Sequence, residues 1–259
     1  MCTLVALHRC TPGAFLWIAA NRDEYADRPS EGPALRNGHN GLLVAPLDRR
    51  EGGTWWGVNA RGVFAALTNR PSRDPDPQRR SRGQLVLDAL AAGSAQSAAD
   101  AAARLGADLH NPFNLFVADE RDAFAIVYEG TPRVMTLGPG VHVIGNADPN
   151  AREVAKIART IDRAEAVAAG PPAKIANGLR DICRAHEAGD DALASTCVHR
   201  GGYGTRSSTL LRLGSDGDLL QHAEGPPCTN PYRDFTPLLA QLGSPAWLRT
   251  GETAARKAS

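Results

Sequence analysis

Long apolar runs and an excess of charge of either sign are missing from this 259-residue sequence. A membrane-spanning helix needs about 18–20 consecutive apolar residues, so no such helix is expected. Lys and Arg total 29 against 28 Asp and Glu, which gives a formal net charge of +1. That balance lacks the basic excess of nucleic-acid-binding proteins, so we expect neither a transmembrane segment nor a nucleic-acid partner.

Paired cysteines are also missing. The five cysteines (Cys2, Cys10, Cys183, Cys197 and Cys228) are odd in number and never form a Cys-x-x-Cys motif. Both features argue against a disulfide framework and against a zinc site. No apolar secretory segment precedes Cys2, so we expect a cytoplasmic protein of a reducing compartment with no metal and no required cofactor.

The apolar segments that are present alternate between strand-like and helical stretches. Strands are predicted at residues 3–8, 14–20, 42–46, 53–59, 63–70, 113–118, 123–129, 133–137, 141–144, 196–200, 206–213 and 218–223, and helices at 81–92, 95–105, 151–168 and 173–187. Residues 25–41 are rich in Pro, Gly and Asn and are predicted to form a loop.

Hairpins connect most neighbouring strands, and the helices come in pairs between groups of strands. Two antiparallel sheets enclosed by two helix layers, an αββα four-layer sandwich of the α+β class, satisfy both features. A simpler mixed α+β domain is the alternative. We expect one domain over residues 1–259, with a loosely packed tail after about residue 245.

The chain begins with a candidate nucleophile. If Met1 is removed, Cys2 becomes an N-terminal residue with both a thiol and a free α-amine, which titrate near about pH 8.5 and 8. The amine can then act as the base for the thiol. The alternative is that Cys2 is a small buried hydrophobe.

Four motifs resemble those of the NRDE family, also called the transport and Golgi organisation family. They are Met-Cys-Thr-Leu at 1–4, Ala-Asn-Arg-Asp-Glu at 20–24, Gly-Thr-Trp-Trp-Gly-Val-Asn at 53–59 and Gly-Thr-Arg-Ser-Ser-Thr at 204–209. The resemblance extends from residue 2 to about 235. It implies an N-terminal nucleophile hydrolase fold and links to secretory organisation, lipid metabolism and haem trafficking.

A more distant resemblance is to cysteine amidases of the penicillin V acylase and bile salt hydrolase type. It implies that Cys2 is the nucleophile, that Asp23 orients its amine, and that Asn69 and Asn146 flank the reacting carbonyl. The amidases have Arg-Asn-x-Asp at the end of the second strand, but Ala20 occupies their Arg position here. Arg22 or Arg206 are the candidates to supply that guanidinium.

Further side chains are predicted to bind substrate. They are Asn21, Arg22, Trp56, Asn59, Arg206 and Ser207. Some have structural alternatives: Asn59 suits a turn, and adjacent Trp55 and Trp56 face opposite sides of a strand, so that one of them belongs to the core.

Two functions remain open at this point. The chain is either a cysteine hydrolase acting on an amide or other small-molecule acyl substrate, or a non-catalytic carrier of haem or an acyl-lipid such as acyl-CoA. A Cys2 thiolate serves either function, because it can also ligate haem iron. The histidines are scattered and no Cys-x-x-Cys-His occurs, so haem is expected only as a transient ligand.

Overall fold

The computed structural model describes residues 2–187 and 191–243. In chain order the strands are β1 (Thr3–Thr11), β2 (Ala14–Tyr25), β3 (Ser30–Gly38), β4 (Gly41–Asp48), β5 (Trp56–Asn59), β6 (Phe64–Asn69), β7 (Phe113–Ala118), β8 (Ala123–Tyr128), β9 (Pro132–Leu137), β10 (Gly140–Ile144), β11 (His199–Arg200), β12 (Tyr203–Leu213), β13 (Leu219–Ala223) and β14 (Arg233–Asp234). The helices are α1 (Arg82–Leu90), α2 (Ala95–Ala102), α3 (Ala155–Ala168), α4 (Pro172–Arg184) and α5 (Thr236–Ala240), with a 3-10 turn at Ala192–Ala194.

The strands form two seven-stranded sheets. The first has the order β10-β1-β2-β12-β13-β14, with β11 paired to β12, and the second runs from β3 to β9 in chain order. Every pairing among the described residues is antiparallel. The N-terminal strand β1 lies inside its sheet between β10 and β2, so the backbone after Cys2 is held on both sides.

Alternate residues of the central strands enter different cores, which explains their continuous apolar runs. In β1, Leu4 and Ala6 pack between the two sheets, whereas Val5 and Leu7 pack under α3 and α4. The outer face of the second sheet packs against α1 and α2. The order of layers is therefore helix, sheet, sheet, helix, and the predicted αββα sandwich is confirmed.

The main error of the sequence prediction concerns residues 25–41, because β3 occupies most of this segment. β3 is an edge strand with a register shift between Glu31 and Ala34, at Gly32 and Pro33. Proline is tolerated at such an edge or bulge, so the Pro and Gly content did not exclude a strand. The predicted loose tail after about 245 lies outside the described residues. Within residues 2–187 and 191–243, no helix is both long enough and apolar enough to span a membrane.

Candidate active site

Cys2 directly precedes β1, next to the C-terminal part of β2. Thr3 pairs with Asn21, so Cys2 stands beside the Arg22 and Asp23 stretch of β2. The Cys2 thiol is half-buried, and it faces the backbone carbonyl of Asp23 with Sγ 3.9 Å from the oxygen. Burial raises the pKa of the Cys2 thiol, while the nearby Arg22 guanidinium acts in the opposite direction. Met1 is outside the described residues, so its removal stays a prediction.

Asp23 is a buried carboxylate with only 4% of its surface exposed. Thr205 lies directly opposite on β12, and its hydroxyl donates a 2.6 Å hydrogen bond to Oδ1 of Asp23. Burial raises the pKa of Asp23 to about 6, although Lys156 and the Thr205 hydroxyl favour the ionised form. The carboxylate lies in the part of β2 nearest Cys2, where it is able to orient a cationic group such as the protonated α-amine of Cys2.

Arg22 extends its guanidinium over the ring of Trp55, 4.5 Å from the ring centroid. Its side chain is only 4% exposed, and Nη2 lies 4.0 Å from both Glu24 and Asp48. Both carboxylates are shared with Arg28, which contacts Asp48 at 2.6 Å. Among the described residues, Nη1 of Arg22 has no hydrogen-bond partner. The site thus contains a buried cation with one donor group uncommitted.

A polar cavity of about 190 Å³ opens beside Cys2. Arg22, Trp55, Asn69 and Arg82 contribute to its wall. Arg82 begins α1 and donates to the carbonyl of Pro112 at 3.1 Å, and within the described chain no carboxylate lies within ion-pairing distance of it. Burial lowers the pKa of Arg82, and Arg28 lowers it further. The cavity therefore presents an excess of guanidinium groups.

Two glycines bring α1 close to this cavity. A Cβ on Gly53 would lie 2.6 Å from the carbonyl carbon of Gly83. A side chain at Gly53 would therefore push away the first turn of α1, which carries Arg82. The Gly-Thr-Trp-Trp motif thus brings α1, as well as Trp55, to the cavity.

Lys156 is a functional candidate that sequence reasoning missed. It is the second residue of α3 and lies 154 positions after Cys2 in the chain. Burial lowers the pKa of Lys156, whereas the charges of Asp23 and Cys2 raise it. Its Nζ has no hydrogen-bond partner among the described residues. The sequence signal was weak, because a lysine in the first turn of a helix usually faces solvent.

Asn69 and Asn146 lie next to each other, and their predicted position on either side of a reacting carbonyl stays a prediction. The Asn146 side chain donates to the backbone carbonyl of Asn69, and only Asn69 lines the polar cavity. Thr68 supports the pair, because its hydroxyl donates at 2.5 Å to the carbonyl of Gly145. Asn114 donates to the same carbonyl at 3.1 Å. These hydrogen bonds connect the second sheet to the segment that follows β10 of the first sheet.

Two asparagines predicted to bind substrate have structural roles instead. Asn21 is buried, and its amide donates to the carbonyls of Cys183 and Thr196. Asn59 donates to the carbonyl of Leu90, and its Oδ1 accepts the backbone N–H groups that close the turn before β6. Neither side chain lines the polar cavity. The turn alternative for Asn59 is the one that the structure supports.

Trp56, Arg206 and Ser207 also lie away from this cavity. Trp56 is 1% exposed and stacks on Phe64 in the core between the sheets, whereas Trp55, which precedes β5, is only partly buried and lines the cavity. Arg206 and Ser207 line a neighbouring cavity, because β12 shifts register after Thr205. Of the two candidate guanidiniums, Arg22 reaches Cys2 and Arg206 does not.

A second cavity, of about 480 Å³, begins at Thr3, the residue that follows Cys2. Its surface is mostly apolar, with Val143, Ile157 and Leu193 in the wall and Asn146 at its border. Its described lining contains no His, Cys, Met or Tyr, the side chains that ligate haem iron. Cys2 itself faces the polar cavity, so the lining residues suit an acyl chain better than a haem.

The histidines lie elsewhere in the fold. His8, His110 and His142 bond to backbone carbonyls, and His222 bonds to the Thr209 hydroxyl. Burial lowers the pKa of each of these four imidazoles. None of these four side chains lines the Cys2 cavity.

Two solved structures have the same architecture. An N-acylethanolamine-hydrolyzing acid amidase ortholog from Caenorhabditis elegans matches 81% of this chain and 92% of its own, with a TM-score of 0.54 and 15% identity. A variant of conjugated bile acid hydrolase from Clostridium perfringens matches 90% of this chain and 96% of its own, with a TM-score of 0.58 and 9% identity. The fold is therefore that of the N-terminal nucleophile hydrolases.

The sequence comparisons define the family. A sequence model of the family "Transport and Golgi organisation 2" matches residues 1–224. The human Transport and Golgi organization protein 2 homolog is 31% identical over 235 residues, which cover 79% of this chain and 84% of the human one. The mouse homolog is 29% identical over 232 residues with the same coverage. The chain belongs to the Transport and Golgi organisation 2 family.

Proposed function

We propose that the chain is a cysteine hydrolase of the N-terminal nucleophile type, which uses Cys2 to cleave an amide or another acyl substrate. The observation that carries this proposal is the position of the Cys2 thiol. The thiol faces the backbone carbonyl of Asp23 at the wall of an open cavity, and the charges of Asp23 and Arg22 both act on its pKa. A buried carboxylate and a buried cation at one end of a sheet are costly for stability, which favours a functional reason for both.

The chemistry begins with Met1 removed. The thiol proton passes to the α-amine of Cys2, and the thiolate forms an S–C bond with the substrate carbonyl. The side-chain amide of Asn69 stabilises the oxyanion, a contribution typically worth about 3–4 kcal/mol. The bond to the leaving group then breaks as that group takes the proton from the ammonium. Water, deprotonated by the same amine, hydrolyses the S-acyl intermediate and restores the thiol.

The surroundings of Cys2 support a substrate with an anionic group and an apolar acyl chain. At the polar cavity Arg82 has no carboxylate partner, and Nη1 of Arg22 has no hydrogen-bond partner among the described residues, although Nη2 of Arg22 lies 4.0 Å from Glu24 and Asp48. Guanidinium groups bind carboxylates and phosphates with paired hydrogen bonds. The apolar cavity that starts at Thr3 offers room for the acyl chain.

A carrier is the second candidate, and one observation favours it. Burial raises the pKa of Cys2, which keeps the thiol protonated and makes it a weaker nucleophile. With an apolar cavity next to it, the same fold can hold an acyl-lipid such as acyl-CoA without turnover. Haem is the less suitable cargo, since the linings of the polar cavity at Cys2 and of the apolar cavity at Thr3 offer it only the Cys2 thiol as an axial ligand.

Turnover with the Cys2→Ala variant separates the two candidates. Wild type and variant are screened against N-acyl amides, acyl thioesters and acyl-CoA, with Cys10→Ala as the matched control in β1. We expect Cys2→Ala to lose turnover while it keeps its fold and its ligand binding. Full turnover by Cys2→Ala would exclude Cys2 as the nucleophile, and binding without turnover by the wild type would favour the carrier.

A further inference from the structure

A cluster of two cysteines and two histidines lies outside the proposed active site. His186 follows α4, Cys197 and His199 flank the start of β11, and Cys228 lies in the segment between β13 and β14. One ligand atom from each of the four side chains lies within 4.8 Å of all the others. The sequence contains no Cys-x-x-Cys motif at this cluster, because its members come from three separate segments.

The distances within the cluster match the edges of a tetrahedron around a metal ion. For ligands about 2.3 Å (sulfur) and about 2.0–2.1 Å (nitrogen) from Zn²⁺, tetrahedral geometry separates two sulfurs by about 3.8 Å and a sulfur from a nitrogen by about 3.6 Å. Sγ of Cys197 lies 3.5 Å from Sγ of Cys228 and 3.6 Å from Nε2 of His199. Nε2 of His199 lies 3.1 Å from Sγ of Cys228, and the rings of His186 and His199 are 5.2 Å apart.

We propose that His186, Cys197, His199 and Cys228 bind one structural Zn²⁺ ion. Two thiolates and two imidazoles in tetrahedral positions form a donor set that selects zinc over hard cations such as Mg²⁺ or Ca²⁺. Four protein ligands leave no open position for substrate, so the ion is structural rather than catalytic.

The ion joins three segments that hydrogen bonds already bring together. The N–H of Cys197 donates to the carbonyl of Ala185 at 3.0 Å, and Arg184 donates to the carbonyl of Pro227 at 3.2 Å. These bonds already bring the end of α4 next to the other two segments. Zinc binding at this point links the end of α4, β11 and the segment before β14 through one ion.

The metal also supports the candidate active site, through the residue between two of its ligands. The N–H of Val198 donates to the Thr205 hydroxyl at 2.9 Å, and Thr205 in turn donates to Asp23 at 2.6 Å. The N–H of Thr205 donates back to the carbonyl of Val198, also at 2.9 Å. Zinc ligation by Cys197 and His199 therefore holds the backbone that orients Thr205. The metal site itself does not depend on the proposed hydrolase function.

Metal content and cobalt spectroscopy test the site without any activity assay. The full chain is purified from zinc-supplemented cells under reducing conditions, analysed for metal, stripped with a strong chelator and titrated with Co²⁺. We expect about one zinc per chain, and Co²⁺ that gives the visible absorption of a tetrahedral site and a thiolate-to-cobalt charge-transfer band. Absence of both stoichiometric zinc and a cobalt spectrum in the wild type would overturn the proposal.

Variants identify the ligands. Cys197→Ser and Cys228→Ser are each expected to weaken metal affinity by at least ~100-fold, because even the loss of a ligand's hydrogen-bond partner costs about 10–100-fold. Cys10→Ser, which removes a cysteine far from the cluster, is the matched control and is expected to keep the full cobalt spectrum. A cobalt spectrum that is unchanged in the Cys197→Ser/Cys228→Ser double variant would contradict the assignment.

Alkylation of the wild-type chain keeps the test valid if the variants fail to fold. Cys228 is exposed, so a free thiol there reacts readily, whereas a metal-bound thiolate is protected. We expect Cys228 to become reactive only after the chelator is added. Rapid alkylation before chelation would show that Cys228 is a free thiol. Protection that only a reductant removes would show a Cys197–Cys228 disulfide. Either result would contradict the metal site.

Discussion

Replacing Asp23 by Asn is expected to stabilise the fold while it removes activity. Burial raises the pKa of Asp23 to about 6 from its ordinary 3.8, so ionisation is harder in the folded chain than in the unfolded one. Each pKa unit corresponds to about 1.4 kcal/mol, so the ionised carboxylate lowers the free energy of unfolding by about 3 kcal/mol near pH 7.5. An Asn keeps an oxygen for the Thr205 hydroxyl and carries no charge.

The sign of this effect sets its dependence on pH. The folded chain binds the Asp23 proton more tightly than the unfolded chain, so the wild type loses stability relative to Asp23→Asn as pH rises between about 4 and 6. We expect the difference in unfolding free energy to grow from about 1 kcal/mol near pH 4.5 to about 3 kcal/mol near pH 7.5.

Urea denaturation of both proteins at the two pH values measures this difference. Asp122→Asn, in the exposed turn between β7 and β8, is the control and is expected to change stability little at either pH. An Asp23→Asn variant that is less stable than the wild type at pH 7.5 would refute the reasoning. The carboxylate would then contribute to stability rather than to function.

Three other substitutions test the site and its surroundings. Arg82→Ala is expected to lower kcat/KM about 10–100-fold for an anionic substrate but little for its neutral analogue, because it removes a charged hydrogen bond. Thr205→Val removes the donor that lowers the pKa of Asp23, so the acidic limb of the pH–rate profile is expected to move to higher pH, whereas Thr205→Ser is expected to leave it in place. Trp56→Ala is expected to cost about 3–5 kcal/mol of unfolding free energy in denaturation experiments, and Trp55→Ala much less, because only Trp56 is fully buried.

The layers of the fold could be predicted because the pattern of apolar residues along the sequence is strong. Continuous apolar runs such as β1 and β7 predicted strands buried on both faces, and the helix pairs predicted the outer layers. β3 was missed because an edge strand can contain Gly32 and Pro33, which usually indicate a loop. The sequence could not decide between Trp55 and Trp56, because it does not show that β5 begins only at Trp56 and that Trp55 precedes the strand.

The site was predictable only where motifs lie near the chain start or at strand ends. Cys2, Asp23 and Asn69 came from such motifs, whereas Arg82 and Lys156 lie in predicted helices but belong to no motif that indicates a functional site. The Cys–His cluster was missed for the same reason, because tertiary structure rather than spacing brings its members together.

Intact mass analysis with thiol-reactive acyl probes tests the central proposal most directly. The account predicts that the purified protein lacks the mass of Met1 and that the probe labels Cys2 selectively over Cys10, Cys183, Cys197 and Cys228. Retention of Met1 would remove the α-amine base, and a Cys2 that does not react would not be an activated nucleophile; either result would contradict the hydrolase mechanism. The apolar cavity next to Thr3 would then be tested with acyl-CoA as the site of a carrier.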